Sequence, residues 1–163
     1  MKSFIVIIMG VSGCGKSTVG RLFAERSGAR FVEGDDFHPA ENVEKMSRGI
    51  PLDDRDREGW LRVLAGIVAK GLAEGDFVVL SCSALKKKYR DQLSGGDLRV
   101  RFVHLAGSIE MIEERLRHRK DHFMPPTLLK SQFDILEAPE DAVVVSFEKP
   151  PEVIVDELVK KLG

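Results

Sequence analysis

Eight consecutive residues, Gly10-Val11-Ser12-Gly13-Cys14-Gly15-Lys16-Ser17, have the types and spacing needed to hold a polyphosphate. The glycines let successive backbone N–H groups turn inward around phosphate oxygens, and a helix starting at the end of the loop adds its positive dipole end and its unpaired donors. The pattern is G-x-x-x-x-G-K-[ST], the P-loop, in which Lys16 reaches the β- and γ-phosphates of a nucleoside triphosphate and the Ser17 hydroxyl ligates magnesium. An apolar run at residues 4–9 precedes it and an amphipathic segment follows, the strand, loop and helix context that the pattern requires. Gly10, Ser12, Gly13, Cys14, Gly15, Lys16, Ser17 and Thr18 are accordingly the expected nucleotide contacts.

A second set of residues bears on what the nucleotide is for. Guanine-specific switches read their base with Asn-Lys-x-Asp, and the only asparagine, Asn42, lies outside any such pattern. Asp56-Arg57-Glu58-Gly59 matches the D-x-x-G of those switches, but no apolar strand leads into it. Motor and pump ATPases end a neighbouring strand with a magnesium-organising acid, whereas the run at residues 77–82 ends in Ser81-Cys82-Ser83. The acids stand instead after the second β-like run, at Glu33, Asp35 and Asp36. Ligands of parallel α/β sheets collect at the C-terminal strand ends, so these carboxylates should face the P-loop across the crevice. An Asp beside the γ-phosphate can accept the proton of an attacking hydroxyl, a contribution of ~10²–10⁴ in rate. Phosphoryl transfer also needs cations that close over the migrating group. Arg115, Arg117, Arg119 and Lys120 are placed to supply them, and on a helix Arg115 and Arg119 share a face. Lys86-Lys87-Lys88-Tyr89-Arg90 is a further basic cluster after the third strand.

The elements that must carry these residues alternate. β-like runs at residues 4–9, 30–33, 77–82, 100–105 and 142–147 are separated by stretches of helical spacing, the pattern of a parallel sheet wrapped by helices. Val19, Leu22 and Phe23 share the inner face of the first helix and Gly28 is placed to end it. Two helices fit between the second and third strands. The first, residues 39–48, has Pro39 for its first helical position and Gly49 as its stop. The second carries Leu61, Leu64, Ile67, Val68 and Leu72 at helical period behind the acids of Asp53-Asp54-Arg55-Asp56. This insertion, about residues 37–73, is a candidate substrate-binding flap. Ser108 caps a helix that ends near Arg119, and the polar, Pro-bounded excursion at about residues 119–127 reads as a lid before Thr127 caps the next helix.

Bulk properties narrow the class. A chain of 163 residues that is 43% hydrophobic can bury one good core and is too short for two ordinary domains. A formal charge of −1 argues against general nucleic-acid binding, which relies on a surplus of Lys and Arg. No apolar stretch approaches the ~20 residues that span a bilayer, and the N-terminus has no signal-peptide pattern, so a cytoplasmic protein is expected. Cys14 and Cys82 form no metal-ligand spacing and are expected as thiols. The position of Cys14 near a helix N-terminus raises the prospect of a lowered pKa.

The chain resembles the gluconokinases of the small P-loop type, relatives of shikimate kinase and adenylate kinase. The resemblance runs through Gly10 to Thr18, Gly34-Asp35-Asp36-Phe37-His38-Pro39, Asn42, Lys45-Met46, Gly49-Ile50-Pro51-Leu52, Asp54, Asp56-Arg57 and Trp60-Leu61. It continues in Cys82-Ser83-Ala84-Leu85-Lys86-Lys87, Tyr89-Arg90-Asp91, Arg115-Leu116, Arg119, His122-Phe123, Ser131-Gln132-Phe133, Leu136-Glu137 and Pro139. It implies a single three-layer α/β/α P-loop domain over residues 1–163, with a five-stranded parallel sheet of order 2-3-1-4-5. It further implies transfer of the γ-phosphate of ATP, with Mg²⁺, to the 6-hydroxyl of D-gluconate. By the same resemblance Asp35 is the candidate base, Glu33 holds a magnesium-bound water beside the Ser17 ligand, and Arg57 grips the acceptor carboxylate. His38, Lys45, Arg90 and Gln132 are further acceptor contacts; Arg115 lies against adenine, and Arg119 contacts phosphates as the lid closes. Related enzymes are often homodimers. Two alternatives stay open on the residues alone: a kinase for another small acceptor such as shikimate or a nucleoside monophosphate, and a non-catalytic ATP-binding regulatory module.

Overall fold

The computed structural model describes residues 4–118 and 126–162. Five strands, β1 (Ile5–Met9), β2 (Arg30–Glu33), β3 (Val78–Ser81), β4 (Val100–Ala106) and β5 (Val143–Ser146), form one parallel sheet ordered β2-β3-β1-β4-β5. That is the expected order, and each strand end falls within about one residue of the run predicted for it. β1 is enclosed on both sides and both faces, and all five of its residues are fully buried. This is why it reads as an unbroken apolar run rather than an alternating one.

Side-chain alternation along β1 divides the core. Ile5, Ile7 and Met9 pack with Trp60, Leu61 and Leu64 of α3 (Asp54–Glu74) and with Tyr89 and Leu93 of α4 (Lys87–Ser94). Val6 and Ile8 pack on the opposite face with Val19 and Phe23 of α1 (Lys16–Ser27) and with Ile154, Val155 and Leu158 of α7 (Pro151–Leu162). Each such side chain contributes about 1.5–3 kcal/mol on burial, so the register of β1 is fixed by both layers at once. Because the chain crosses from one side of β1 to the other, a crevice opens at its C-terminal end, where the P-loop lies.

Local chemistry sets the ends of the elements around that crevice. Gly15 caps α1 with φ +95°, a conformation that costs a glycine little. α3 begins with a reciprocal capping box: Asp56 N–H donates to Asp53 Oδ1 at 2.8 Å and Asp53 N–H to Asp56 Oδ2 at 3.0 Å. α2 (Ala40–Ser47) starts one residue later than expected, so Pro39 is its cap and not its first helical residue. Ser108 caps α5 (Ile109–Arg117) as expected, by accepting from Met111 N–H. α6 is described over Pro126–Ile135, so Thr127 lies within the helix and not at its cap. The expected lid, with Arg119, Lys120, His122 and Phe123, lies outside the described residues save for its last positions. Among the described residues no helix is long and apolar enough to cross a membrane.

Candidate active site

The P-loop joins β1 to α1 and is held by its own backbone. Gly10 N–H donates to Ser83 O at 3.3 Å, and Lys16 Nζ donates to Val11 O at 3.0 Å across the loop. Lys16 is only 9% exposed, so its charge stands in a partly water-excluded site where it acts strongly on a neighbouring anion. Cys14 corrects the expectation of a lowered pKa: burial pushes its thiol up, and nearby Lys16 and Arg115 offset this only in part. Cys82, also buried, is pushed up to about 12 by the same cause. Both thiols are free and buried, which favours the neutral thiol over the thiolate.

The end of β2 carries the acids. Glu33 accepts from Ser17 Oγ through Oε2 and from Ser81 Oγ at 2.6 Å through Oε1, so the carboxylate is fixed beside the first turn of α1. Gly34 follows, and a Cβ there would stand 2.1 Å from Ser81 O. Only glycine lets the chain leave β2 this close to β3 and turn through the short 3₁₀ helix Gly34–Phe37. That turn presents Asp35 to the crevice. His38 comes next, its ring stacked on Trp60 with centroids 4.0 Å apart and its Nε2 3.9 Å from Asp35 Oδ1.

Arg57 enters from the first turn of α3 and is 6% exposed. Its Nη1 donates to Leu52 O at 2.7 Å and to Tyr89 Oη at 3.3 Å, and its guanidinium lies 5.6 Å from the Tyr89 ring centroid. Tyr89 Oη in turn donates to Asp54, whose carboxylate also takes Lys86 at 2.8 Å and Lys88. Those three donors hold the Asp54 carboxyl well below the usual range, Lys86 first among them. The basic cluster of α4 thus serves largely to fix the residues that fix Arg57.

One cleft gathers Ser12 and Lys16 of the P-loop, Asp35 and His38 after β2, and Arg57 and Trp60 of α3. Met46 of α2, Ser83 after β3, and Ser131 and Gln132 of α6 complete its wall, with Pro51, Leu52 and Leu128 as apolar lining. Gln132 bonds the P-loop as well: its Oε1 accepts from Ser12 N–H at 2.7 Å and its Nε2 donates to Ser12 Oγ at 2.9 Å. Residues far apart in sequence but predicted as one site therefore share one wall. Arg115, from α5, stands at the outer side of the P-loop, donating to Cys14 O at 3.3 Å and to Phe147 O over the Phe147 ring.

Two predicted acceptor contacts lie elsewhere. Lys45 donates to both oxygens of Asp56 at 2.9 Å and so ties α2 to the cap of α3. Arg90 is 7% exposed and donates to Ala84 O, Leu85 O and Glu137 O at 2.8, 3.2 and 2.8 Å. Its guanidinium satisfies carbonyls of the loop after β3, where Ala84 has φ +44°, and it lines no wall of the cleft. Arg90→Ala is therefore expected to destabilise the fold by about 3 kcal/mol, since hydrogen bonds to a buried charge are lost and their acceptors stay buried. Urea unfolding measures this, and an acceptor KM unchanged in the milder Arg90→Lys variant separates support from binding.

Several residues of the site gave no chemical signal in the sequence. Trp60 was part of the resemblance but carried no assigned role, yet its Nε1 donates to Gly34 O at 2.8 Å and its ring carries His38. Asn42, 2% exposed, and Tyr89 belong to the same support. The D-x-x-D spacing of Asp53 and Asp56 was the one available cue, since a capping box sets where α3 starts and hence where Arg57 points.

The chain is similar to known proteins over nearly its whole length. The family model for shikimate kinase matches residues 12–162. The gluconokinase of Gluconobacter oxydans (strain 621H) is 46% identical over 163 residues, covering 98% of this chain and 92% of that protein. The gluconokinase of Arabidopsis thaliana is 42% identical, with 98% and 92% covered. The crystal structure of a gluconokinase from Sinorhizobium meliloti 1021 superimposes with a TM-score of 0.88 at 44% identity, over 97% of this chain and 90% of that one.

Proposed function

The chain belongs to the shikimate kinase family of P-loop kinases and, within it, to the gluconokinases; on that premise we propose how its cleft carries the γ-phosphate of ATP to the 6-hydroxyl of D-gluconate. The observation that supports the reading best is the shared wall of Lys16, Asp35 and Arg57: a phosphate cation, a candidate base and a carboxylate grip around one cavity.

ATP lies along the P-loop, with Lys16 against its β- and γ-phosphates and Arg115 beside the base. Asp35, exposed to the crevice, accepts the proton of the attacking hydroxyl, whose oxygen displaces ADP from the γ-phosphorus. Arg57 holds the gluconate carboxylate; Tyr89 and Leu52 O engage Nη1 alone, and among the described residues Nη2 has no hydrogen-bond partner. A planar guanidinium anchored at one corner keeps an orientation suited to bidentate carboxylate binding. Magnesium fits the oxygen donors at the start of α1: Ser17 as ligand and Glu33, already directed at Ser17 Oγ, through water. When bound, it neutralises charge that develops on the β- and γ-phosphate oxygens. Arg119, which lies outside the described residues, is assigned to the phosphates by the family resemblance alone. The protein works in the cytoplasm.

An acceptor panel of sugar acids, shikimate and AMP with ATP and magnesium, read by phosphorus NMR, tests the reading. A phosphomonoester on gluconate is expected; turnover only with shikimate or AMP, or tight ATP binding without acceptor-stimulated turnover, overturns it. Arg57→Ala should raise KM for gluconate by about tenfold or more, the loss of a charge-assisted hydrogen-bonded pair of ~1.5–3 kcal/mol. KM for ATP should stay near normal, and a change confined to ATP would remove the carboxylate role.

A further inference from the structure

The cleft wall holds a histidine whose protonated nitrogen follows from its partners. Asn42 Nδ2 donates to Asp56 O at 2.8 Å and meets His38 Nδ1 at 3.2 Å. A carbonyl oxygen only accepts, so the amide nitrogen of Asn42 must face Asp56, and its second N–H runs to His38. Nδ1 is then the lone-pair nitrogen of the neutral ring, and the proton sits on Nε2. Burial favours that neutral form by lowering the His38 pKa below 6.5; Arg57 acts in the same direction and Asp35 opposes it. Stacking on Trp60 at an interplanar angle of 15° fixes the ring plane. Nε2 faces Asp35 Oδ1 across 3.9 Å, too far for a direct hydrogen bond. A hydroxyl oxygen placed to one side of the line joining them would reach each at about 2.8 Å.

We propose that Asn42 is a positioning residue that locks His38 as an Nε2–H donor, and that His38 and Asp35 Oδ1 together bind the acceptor hydroxyl next to the reacting one. That hydroxyl accepts from Nε2–H and donates to Oδ1, while Oδ2 stays available for the proton of the attacking hydroxyl. The inference rests on the gluconate reading and gives it a selectivity device: a vicinal diol satisfies the pair, whereas a methylene at the second carbon leaves a donor and an acceptor unpaired. His38 does not compete with Asp35 as base, because its cleft-facing nitrogen already carries a proton.

Long-range ¹H–¹⁵N NMR of the full-length, histidine-labelled protein without ligands reads the tautomer, with the His38 signal assigned by its loss in His38→Phe. Nε2–H with bare Nδ1 is expected; Nδ1–H overturns the proposal. Activity gives an independent cycle with gluconate and 5-deoxygluconate. The wild type should show KM about tenfold higher for the deoxy acid, while His38→Phe should treat the two acids within about twofold and keep the KM for ATP. A preference that survives undiminished in His38→Phe overturns the diol contact. His38→Gln, which restores an N–H at similar reach, should recover part of the discrimination. Asn42→Asp should move the proton to Nδ1; because Asn42 is buried and this variant can fail to fold, the wild-type spectrum and the His38 variants carry the test. A wild-type chain silent toward gluconate but with His38 protonated at Nε2 would overturn the acceptor reading and support the tautomer.

Discussion

Lys16→Ala is expected to lower kcat with ATP and gluconate by about 10²–10³-fold, the loss typical of one preorganised donor to a developing negative charge. The size follows from the site. Lys16 is 9% exposed, emerges from the first position of α1 and is held across its loop by Val11 O, so the ammonium group does not have to be ordered during the reaction. Largely shielded from solvent, a fixed cation acts on the β- and γ-phosphates more strongly than a mobile one in water. Alanine removes that charge without leaving a buried anion unpaired, since the partner of Lys16 is a neutral carbonyl. The variant should therefore fold, and far-ultraviolet circular dichroism beside steady-state kinetics separates the effects. Near-normal kcat would remove the P-loop lysine from the mechanism.

Asp35→Asn should cut kcat by about 10²–10⁴-fold, the range of general-base catalysis, with KM for ATP nearly unchanged. The substitution keeps shape and hydrogen-bonding reach but takes away the oxygen that can hold the transferred proton. Its side chain is 67% exposed, makes no hydrogen bond among the described residues and stands 3.9 Å from His38, so stability should hardly move. Asp36→Asn is the control. Should Asp36→Asn carry the loss and Asp35→Asn none, the base would be the adjacent acid.

Much of this was readable before any coordinates. Five β-like runs separated by stretches of helical spacing became five strands in the expected order. The central strand β1 is buried on both faces, so it must be written as continuous apolar residues, whereas the edge strand β2 carries Arg30 and Glu33. Pro39 became the cap of α2 and not its first helical residue because a helix terminus depends on which backbone donors find partners, which composition states only loosely. The site was legible where function demands a residue type at a fixed spacing, as in Gly10 to Ser17. It was poorly legible for Lys45 and Arg90. A basic side chain after a strand reads the same whether it faces a ligand or three backbone carbonyls, and only the path of the loop at residues 84–86 and of Glu137 decides between them.

The sequence by itself determined the P-loop, the parallel α/β sheet and the acids after β2, because backbone propensity, apolar period and phosphate chemistry each leave a local signature. Tertiary structure alone decided which polar groups share the cleft. Arg57 is turned by Tyr89 from 32 residues away, Gln132 reaches Ser12 across 120, and His38 is oriented by Trp60 and Asn42. Hydrogen bonds and ring stacks act over a few ångströms of space whatever the separation along the chain, so their partners cannot be read until the sheet has brought them together.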